Sequence, residues 1–245
     1  MDKPKRMRID KLLVDHGYFE SRERAQRSIL AGQVLVQERV IDKPGTLVKS
    51  DAAVRVVGEE RFVGRGGYKL EAALDHFAIN ATDLICLDVG ASTGGFTDCL
   101  LQRGARKVIA VDVGHNQLAW KIRSDSRVEV REGLNARLLS RDLLETSVGL
   151  AVVDVSFISL TLVLPPIVSC VEAGGLVVAL IKPQFELEPN QVGKGGIVRD
   201  EQLRQRAVSR IRLFVTEQLH REWLGVIESP IPGAKGNREF LACLR

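Results

Sequence analysis

The segment Asp88-Val-Gly-Ala-Ser-Thr-Gly-Gly-Phe-Thr-Asp98 joins an apolar run to a stretch of helical character, and it decides the fold. The run that leads into it, residues 84–89, predicts a buried strand. Gly90, Gly94 and Gly95 let the backbone turn sharply and approach a ligand closely. The helix beyond them begins with unpaired N–H groups, which favour a carboxylate or a phosphate. The segment therefore predicts a strand, a ligand-binding turn and a helix in succession.

Further apolar runs follow this segment and alternate with helical stretches. They cover residues 108–112, 127–130, 150–154 and 176–181. Near-continuous apolar strands of this kind are typical of a parallel sheet that is buried on both faces. A long helix over 201–219 and two further strands, 223–228 and 239–244, complete the pattern. The sequence therefore predicts an α/β domain built on a mostly parallel sheet.

The turn after the first of these strands does not follow the dinucleotide fingerprint G-x-G-x-x-G, because its spacing is G-x-x-x-G-G. Its acidic ends suit a ligand with a cationic end, such as S-adenosylmethionine, which carries an ammonium and a sulfonium group. Asp88 would take the methionyl portion, and Asp112 at the end of the next strand would hold the ribose hydroxyls. Leu134 or Asn135, after the third strand, would contact the adenine. A glycine-rich turn with NAD or with no ligand, and an ordinary loop asparagine, are the alternatives.

Polar residues end two of the later apolar strands. Asp154 ends the fourth strand and Lys182 the fifth, and ligands of open α/β sheets bind at the carboxyl ends of the strands. Lys69 and Glu239 could complete a group of two lysines and two carboxylates. A lysine whose pKa is lowered by a neighbouring cation and by desolvation can deprotonate a ribose hydroxyl. We expect Lys182 to be the base, Lys69 the neighbouring cation, and the two carboxylates to orient the amines. A buried salt-bridge cluster without catalysis is the alternative.

The first 60 residues show a different pattern, which reads as two helices followed by short strands. Ser21 can cap the second helix at its start. Residues 58–67 hold four glycines and few core-forming residues, which indicates an interdomain linker. The sequence therefore predicts a small αβ domain, a linker and a larger domain, with boundaries at 1–60, 61–67 and 68–245.

The composition excludes several classes of protein. The 245 residues include 35 Lys and Arg against 31 Asp and Glu, and the formal net charge of +4 permits a polyanionic partner. The four cysteines lie far apart without a C-x-x-C pair, so neither a zinc site nor a disulfide framework is predicted. The charged N-terminus differs from a signal peptide, and Pro165-Pro166 and Glu172 interrupt the longest apolar stretch. We expect a cytoplasmic protein with reduced thiols, no metal and no membrane segment.

Six segments, in order along the chain, resemble the TlyA, or hemolysin A, family. They are Arg65-Gly-Gly-Tyr-Lys-Leu70, Asp88-Val-Gly-Ala-Ser-Thr-Gly-Gly-Phe-Thr97, Ala110-Val-Asp-Val-Gly114, Asp154-Val-Ser-Phe-Ile-Ser-Leu160, Lys182-Pro-Gln-Phe-Glu186 and Gly236-Asn-Arg-Glu-Phe240. That family resembles the FtsJ-type ribose 2'-O-methyltransferases with an added N-terminal S4 RNA-binding domain. The resemblance implies a Rossmann-like methyltransferase domain, whose mostly parallel seven-stranded sheet has an antiparallel last strand. It further implies methyl transfer from S-adenosylmethionine to cytidine 2'-hydroxyls in ribosomal RNA of the small or large subunit.

The resemblance also implies roles for individual residues. The FtsJ-type catalytic tetrad falls on Lys69, Asp154, Lys182 and Glu239. The implied cofactor-binding residues are Asp88, Gly90, Ser92, Thr93, Gly94, Gly95, Phe96, Asp112, Val113, Leu134, Asn135 and Asp154. Two segments that would contribute to the adenine contacts depart from the expected family forms, namely Gly114-His-Asn-Gln-Leu118 and Glu132-Gly-Leu-Asn135.

The front domain resembles an S4 domain through segments such as Arg8-Ile-Asp-Lys-Leu-Leu13 and Lys43-Pro-Gly45. Basic residues on or beside the solvent face of its second helix can neutralise phosphates. A solvated surface is the alternative, because residues 1–60 hold 12 Lys and Arg against 10 Asp and Glu. The residues expected to contact ribosomal RNA or a ribosomal subunit are Arg8, Lys11, Arg22, Arg24, Arg27, Lys43 and Arg65.

Three other functional classes are alternatives to an RNA methyltransferase. A noncatalytic RNA-binding or ribosome-assembly factor would not need Asp154, Lys182 and Glu239 together at the crevice. A membrane-damaging toxin, as the hemolysin name suggests, would need a signal peptide, a membrane span or a strongly amphipathic surface helix. A nicotinamide dehydrogenase would need the G-x-G-x-x-G spacing. The sequence favours the methyltransferase over each of these.

Overall fold

The computed structural model describes residues 6–58 and 61–245, and the chain divides into two compact units, Met1–Arg61 and Phe62–Arg245. The helices and short strands described in the first unit are β1 (Arg6–Arg8), α1 (Ile9–Asp15), α2 (Arg22–Leu30), β2 (Val34–Val36), β3 (Arg39–Val40), β4 (Leu47–Lys49) and β5 (Val54–Val56). Strand β2 pairs with β3 and β5, and β1 pairs with β4, all in antiparallel register. Ser21 caps α2 as predicted, since its hydroxyl accepts the N–H of Arg24 at 3.3 Å. Apolar side chains of both helices and of β2 form a core within this unit.

The second unit alternates strands with helices. Its described elements are α3 (Gly66–His76), β6 (Ile85–Val89), α4 (Gly95–Gln102), β7 (Lys107–Asp112), α5 (Trp120–Arg123), β8 (Val128–Glu132), α6 (Arg141–Leu144), β9 (Val148–Val153), α7 (Leu160–Cys170), β10 (Val171–Ile181), α8 (Pro183–Glu186), α9 (Glu201–Leu213), β11 (Trp223–Glu228) and β12 (Phe240–Leu244). The single helix predicted over 201–219 is instead α9 followed by a π-helical turn, Phe214–Gln218.

The strands of the second unit form one seven-stranded sheet in the order β11-β12-β10-β9-β6-β7-β8. Strands β10, β9, β6, β7 and β8 are parallel, and β12 is antiparallel to both of its neighbours. This confirms the α/β prediction of a mostly parallel sheet with an antiparallel last strand. The chain passes from β6 to β7 on one side, while β9 lies on the other side of β6. Ligands of doubly wound folds bind at such a switch point, outside the carboxyl ends of the strands.

Both faces of this sheet are covered by apolar cores. Successive strand residues point to opposite faces, so Leu87 and Val153 belong to one core while Cys86 and Val152 belong to the other. Burial on both faces explains why the strands read as near-continuous apolar runs. Within residues 6–58 and 61–245, no helix combines the length and apolar character needed to cross a bilayer.

The linker predicted over 61–67 requires correction, because residues 62–67 pack as part of the second unit. Phe62 is 1% exposed within a core of that unit, and its ring lies 5.0 Å from that of Tyr68. Helix α3 already begins at Gly66. A Cβ at Gly64 would lie 2.6 Å from Oγ1 of Thr93, and one at Gly67 would lie 2.2 Å from Cγ of Phe62. These glycines therefore permit close packing rather than flexibility.

We expect the substitution Gly67→Ala to destabilise the second unit by about 1–3 kcal/mol, because the new methyl group forces the buried ring of Phe62 to move. Urea unfolding followed by circular dichroism measures the loss. Gly58→Ala is the matched control, since a Cβ at Gly58 would lie more than 4 Å from every described atom outside its chain neighbours. Equal stability of the Gly67→Ala and Gly58→Ala proteins would contradict the packing role.

Candidate active site

Two ion pairs lie at the carboxyl end of the sheet in the second unit. Nζ of Lys69 lies 2.6 Å from Oε2 of Glu239, and Nζ of Lys182 lies 2.6 Å from Oδ1 of Asp154. Lys69, Lys182 and Glu239 are buried, and the side chain of Asp154 is 23% exposed. Buried charges are costly unless they are paired. The four residues predicted from the strand ends and the flanking motifs thus come together, and each ammonium has its own carboxylate.

Strand register accounts for this arrangement. Ile181 of β10 lies opposite Phe240 of β12 in an antiparallel pair, so the next residues outward are Lys182 and Glu239. Strand β9 is parallel to β10 and ends at the same edge of the sheet, where Asp154 follows it. The N–H of Asp154 continues the ladder by donating to the carbonyl of Val89 at 2.9 Å.

Lys69 reaches the edge of the sheet from α3, which packs closely on α4. A Cβ at Gly66 would lie 3.2 Å from the ring of Phe96, so the glycine allows the two helices to approach. On the other side of the pair, a Cβ at Gly233 would lie 1.8 Å from Oε1 of Glu239. The loop that contains Gly233 therefore lies directly against the carboxylate. Arg65, expected to contact RNA, is exposed and donates from Nη2 to the carbonyl of Pro232 in this loop at 2.6 Å.

Ser156 is a site residue that the sequence reasoning missed. Nζ of Lys182 donates to Oγ of Ser156 at 2.8 Å, so the amine is fixed by a hydroxyl as well as by Asp154. The sequence does offer one indication of its role, because Ser156 lies two positions after Asp154, where the predicted apolar strand ends. Residues at i and i+2 share a face only where the chain remains extended, and the sequence alone did not define the chain beyond the strand.

Two adjoining cavities open beside these residues, and both are lined by Gly90, Ser92 and Asp154. The larger, about 410 Å³, is also lined by other predicted cofactor residues, namely Asp112, Val113, Leu134 and Asn135. The smaller, about 160 Å³, lies at the start of α4 and is also lined by Thr93, Gly95 and Phe96. Gly94 has a φ of +96° in the turn and lines neither cavity.

Asp112 lines the larger cavity with its carboxylate already oriented. Its Oδ2 accepts the N–H of Ser92 at 2.8 Å, and its Oδ1 accepts the N–H of Gly114 at 2.7 Å. Each carboxylate oxygen has two lone pairs, so both can still accept a hydroxyl. Asn135 is exposed and also caps a short 3₁₀ turn, because its Oδ1 accepts the N–H of Arg137 at 3.0 Å.

Asp88 is completely buried and lines neither of the two cavities, and the predicted contact of its carboxylate with a methionyl group stays a prediction. Its Oδ2 accepts the hydroxyl of Thr97 at 2.6 Å, and its Oδ1 has no hydrogen-bond partner among the described residues. Burial raises the pKa of Asp88 to about 7, an effect that the Thr97 hydroxyl opposes and the charge of Asp154 increases.

The predicted RNA-binding residues of the first unit are exposed, and two of them share a buried anchor. Asp10 has no exposed surface and accepts Nε and Nη2 of Arg8, at 3.0 and 2.9 Å, and Nη2 of Arg22 at 2.9 Å. Gln26 also donates to it, at 2.8 Å. These bonds hold the pKa of Asp10 well below its usual range, with the Arg8 hydrogen bond as the largest cause. The remaining predicted contacts are exposed, namely Lys11, Arg24, Arg27 and Lys43.

Potential metal ligands do not cluster in the described parts of the chain, where no group of three or more His, Cys, Asp or Glu side chains is arranged to hold an ion. The four cysteines, Cys86, Cys99, Cys170 and Cys243, are buried.

Comparison with known proteins matches both units. Residues 62–245 match the FtsJ-like methyltransferase family, and residues 7–54 match the S4 domain. The chain is 46% identical over 243 residues to the 16S/23S rRNA (cytidine-2'-O)-methyltransferase TlyA of Mycobacterium tuberculosis, covering 98% of this chain and 90% of that protein. It is 44% identical to Hemolysin A of Brachyspira hyodysenteriae, covering 96% and 98% of the two chains. A solved structure from Streptococcus thermophilus, described as a candidate hemolysin, has a TM-score of 0.75 at 44% identity, covering 99% and 89% of the two chains.

We expect Asp88→Asn to gain stability relative to the natural protein as the pH rises from 5 to 8. The folded carboxyl has a pKa of about 7, above its ordinary value, so the folded state retains a proton that the unfolded state has lost. The stability contributed by this group is therefore full below about pH 4 and is lost as the pH rises through 7. Asparagine does not titrate, and urea unfolding at both pH values measures the difference.

The control for this substitution is Asp125→Asn. The hydrogen bond from Arg127 lowers the pKa of Asp125, so that carboxylate is ionised at both pH values and its substitution should have the same effect at each. Parallel pH profiles for Asp88→Asn and the natural protein would contradict the assignment of a raised pKa to Asp88.

Proposed function

We propose that this chain, which belongs to the FtsJ-like methyltransferase family, transfers a methyl group from S-adenosylmethionine to the 2'-hydroxyl of a cytidine in ribosomal RNA. The observation that carries the proposal is the pair of buried Lys–carboxylate contacts beside the two cavities. The relative from Mycobacterium tuberculosis supports the choice of nucleotide and RNA. A ribosomal substrate would place the protein in the cytoplasm.

The cavities fit S-adenosylmethionine in size and chemistry. The larger cavity, about 410 Å³, has the volume of a small-molecule site, and the smaller, about 160 Å³, adjoins it. In the proposed complex, Asp112 accepts the ribose hydroxyls, and Val113 and Leu134 cover the adenine. A Cβ at Gly90 would lie 2.4 Å from the carbonyl oxygen of Asp154, so glycine keeps the turn close to the sheet and the cavity open. The bound cofactor supplies an electrophilic methyl group on its sulfonium.

Lys182 is the proposed proton acceptor. The Lys182 ammonium would first release a proton to solvent, and the free amine would then accept the proton of the 2'-hydroxyl as the hydroxyl oxygen takes up the methyl group that the cofactor supplies. Asp154 and Ser156 both contact Nζ, which restricts the orientation of the amine. Positioning of this kind supplies much of the rate of a two-substrate reaction.

Lys69 and Glu239 form the second part of the proposed machinery. Their contact at 2.6 Å is almost completely buried, so water screens the interaction between the two charges only weakly. In the proposed reaction, Lys69 lies beside the substrate oxygen as a fixed cation and stabilises the negative charge that develops there. Glu239 orients that cation and compensates for its burial.

The function is tested by mapping 2'-O-methylcytidine in ribosomal RNA from a strain that lacks the gene, after incubation with purified protein and labelled S-adenosylmethionine. We expect incorporation with the natural protein and a loss of at least about 10²-fold with Lys182→Ala, since general-base catalysis contributes that much. Cofactor affinity should change less than about twofold, because Lys182 lines neither cavity.

Lys107→Ala is the matched control, since Lys107 begins β7 at the opposite end of the parallel strands and pairs with Glu129. It should retain full activity. Failure of the natural protein to methylate either subunit or naked RNA, with cofactor binding intact, would favour a noncatalytic RNA-binding factor instead. Equal activity of the Lys182→Ala protein would remove Lys182 from the role of base.

Arg8 and Arg22 are the proposed RNA contacts of the first unit. Their side chains are 50% and 55% exposed while Asp10 fixes one edge of each guanidinium, so the remaining N–H groups face solvent in a defined orientation. Guanidinium groups bind phosphate through paired hydrogen bonds, so orientation matters as well as charge.

We expect Asp10→Asn to weaken binding of naked ribosomal RNA roughly tenfold, because both arginines lose a charged hydrogen-bond partner. If the arginines acted only through net charge, removal of a negative charge would tighten binding instead. Glu38→Gln is the control, since Glu38 makes an exposed ion pair with Arg55 in the same unit. Titrations at one fixed salt concentration separate the two cases, and tighter binding by the Asp10→Asn protein would refute the orienting role.

A further inference from the structure

A buried carboxylate outside the two ion pairs connects the chain segments that carry Asp154 and Lys182. Glu186, the last residue of α8, is 1% exposed and lies four positions after Lys182. Its Oε2 accepts the hydroxyl of Ser159 at 2.5 Å, and its Oε1 accepts the N–H of Leu160 at 2.8 Å. Both donors lie at the start of α7, which follows the segment that begins at Asp154.

The two segments therefore form a frame that is closed at both ends. Residues 154–159 follow β9 and residues 182–186 follow β10, and these strands are parallel neighbours. At the end nearest the sheet, Lys182 contacts Asp154 and Ser156. At the other end, Glu186 bonds to the start of α7. A displacement at either end is transmitted to the amine of Lys182.

The middle of this frame is strained. Phe157 has a φ of +63°, in the left-handed region that a bulky residue rarely adopts. Such strain persists only when the surroundings enforce it. The ring of Phe157 lies 5.1 Å from the ring of Phe185, which gives one contact across the frame. Because Ser156 is the neighbour of Phe157, release of the strain would move the hydroxyl that holds Lys182.

Helix capping alone does not account for Glu186. Ser159 already caps α7, since its Oγ accepts the N–H of Thr161 at 3.2 Å. Burial raises the pKa of Glu186, an effect opposed by the bonds from Leu160 and Ser159 and by the charge of Arg210. Arg210 on α9 also donates to the backbone carbonyl of Glu186, so a third element fixes its position.

We propose that Glu186 is a positioning residue, which fixes the segment of Asp154 and Ser156 against the segment of Lys182 and so aims the amine. The proposal rests on the proposed function. Glu186 lines neither cavity of the active site and acts through Lys182 rather than on the substrate.

The test compares three variants of the full chain. Glu186→Ala removes both bonds to α7, and we expect kcat to fall about 10²-fold, the usual cost of a misplaced reacting group, with KM and cofactor affinity changed less than about twofold. Glu186→Gln keeps an acceptor for Leu160 and offers an amide donor to Ser159, so kcat should stay within about threefold of the natural value. Asp200→Ala removes a different capping carboxylate, which bonds to the N–H groups of Gln202 and Leu203 at the start of α9. It should lower stability without lowering kcat.

Any of three results would overturn the proposal: a natural kcat in Glu186→Ala, an equal loss in Glu186→Gln, or an equal loss in Asp200→Ala. The last would mean that general destabilisation, and not position, lowers the rate. A second readout does not depend on methyl transfer. Hydrogen exchange at the amides of residues 155–160 should speed up in Glu186→Ala and remain unchanged in Asp200→Ala, and no change in Glu186→Ala would also refute the frame. A natural protein that transfers no methyl group would refute the proposed function, while the exchange result would still decide the role of Glu186.

Discussion

The cost of burying charge at the end of an apolar sheet is the constraint on which the rest of the site depends. Strands β9 and β12 are apolar along their length, β10 is apolar over residues 176–181, and charged residues follow or precede these stretches directly. An isolated ammonium or carboxylate buried there would be strongly destabilising. Lys69 with Glu239 and Lys182 with Asp154 meet this constraint in pairs, at 2.6 Å each. Removing one member of such a pair leaves the other buried charge uncompensated. The desolvation cost of each charge therefore keeps the two partners together.

Close backbone approach is what allows the pairs to form. Lys69 reaches Glu239 only because α3 packs against α4 through glycines, and the loop over Glu239 depends on a glycine for the same reason. Glycine, which suggests flexibility when only the composition is considered, is needed here because the chain segments pack too closely for a side chain. Sequence composition does not distinguish the two uses, since both need a residue without a side chain. This is why the segment 61–67 was wrongly predicted to be a linker.

Strand periodicity predicted the parts of the site that depend on the sheet. Asp154 and Lys182 could be placed because each ends an apolar run, and parallel strands bring their ends to one edge. The burial of Asp88 could not be predicted, because a residue at a strand end points toward the cavity or beneath the turn according to the path of the following chain. Ser156 and Glu186 were missed for a related reason. Their roles depend on contacts between segments that are remote in sequence, and the periodicity of apolar residues does not predict such contacts.

In both units, buried acceptors hold the side chains or segments to which we assign a role in the proposed function. Asp10 has no exposed surface and fixes guanidinium groups that are half exposed, while Glu186 is 1% exposed and fixes the segments around a partly accessible site. A long basic side chain loses considerable rotamer entropy when a ligand immobilises it. Where a buried carboxylate already holds the basic side chain in the folded protein, this rotamer entropy is lost during folding rather than on ligand binding. The stability of each unit and the orientation of these groups are therefore coupled, since the same hydrogen bonds contribute to both.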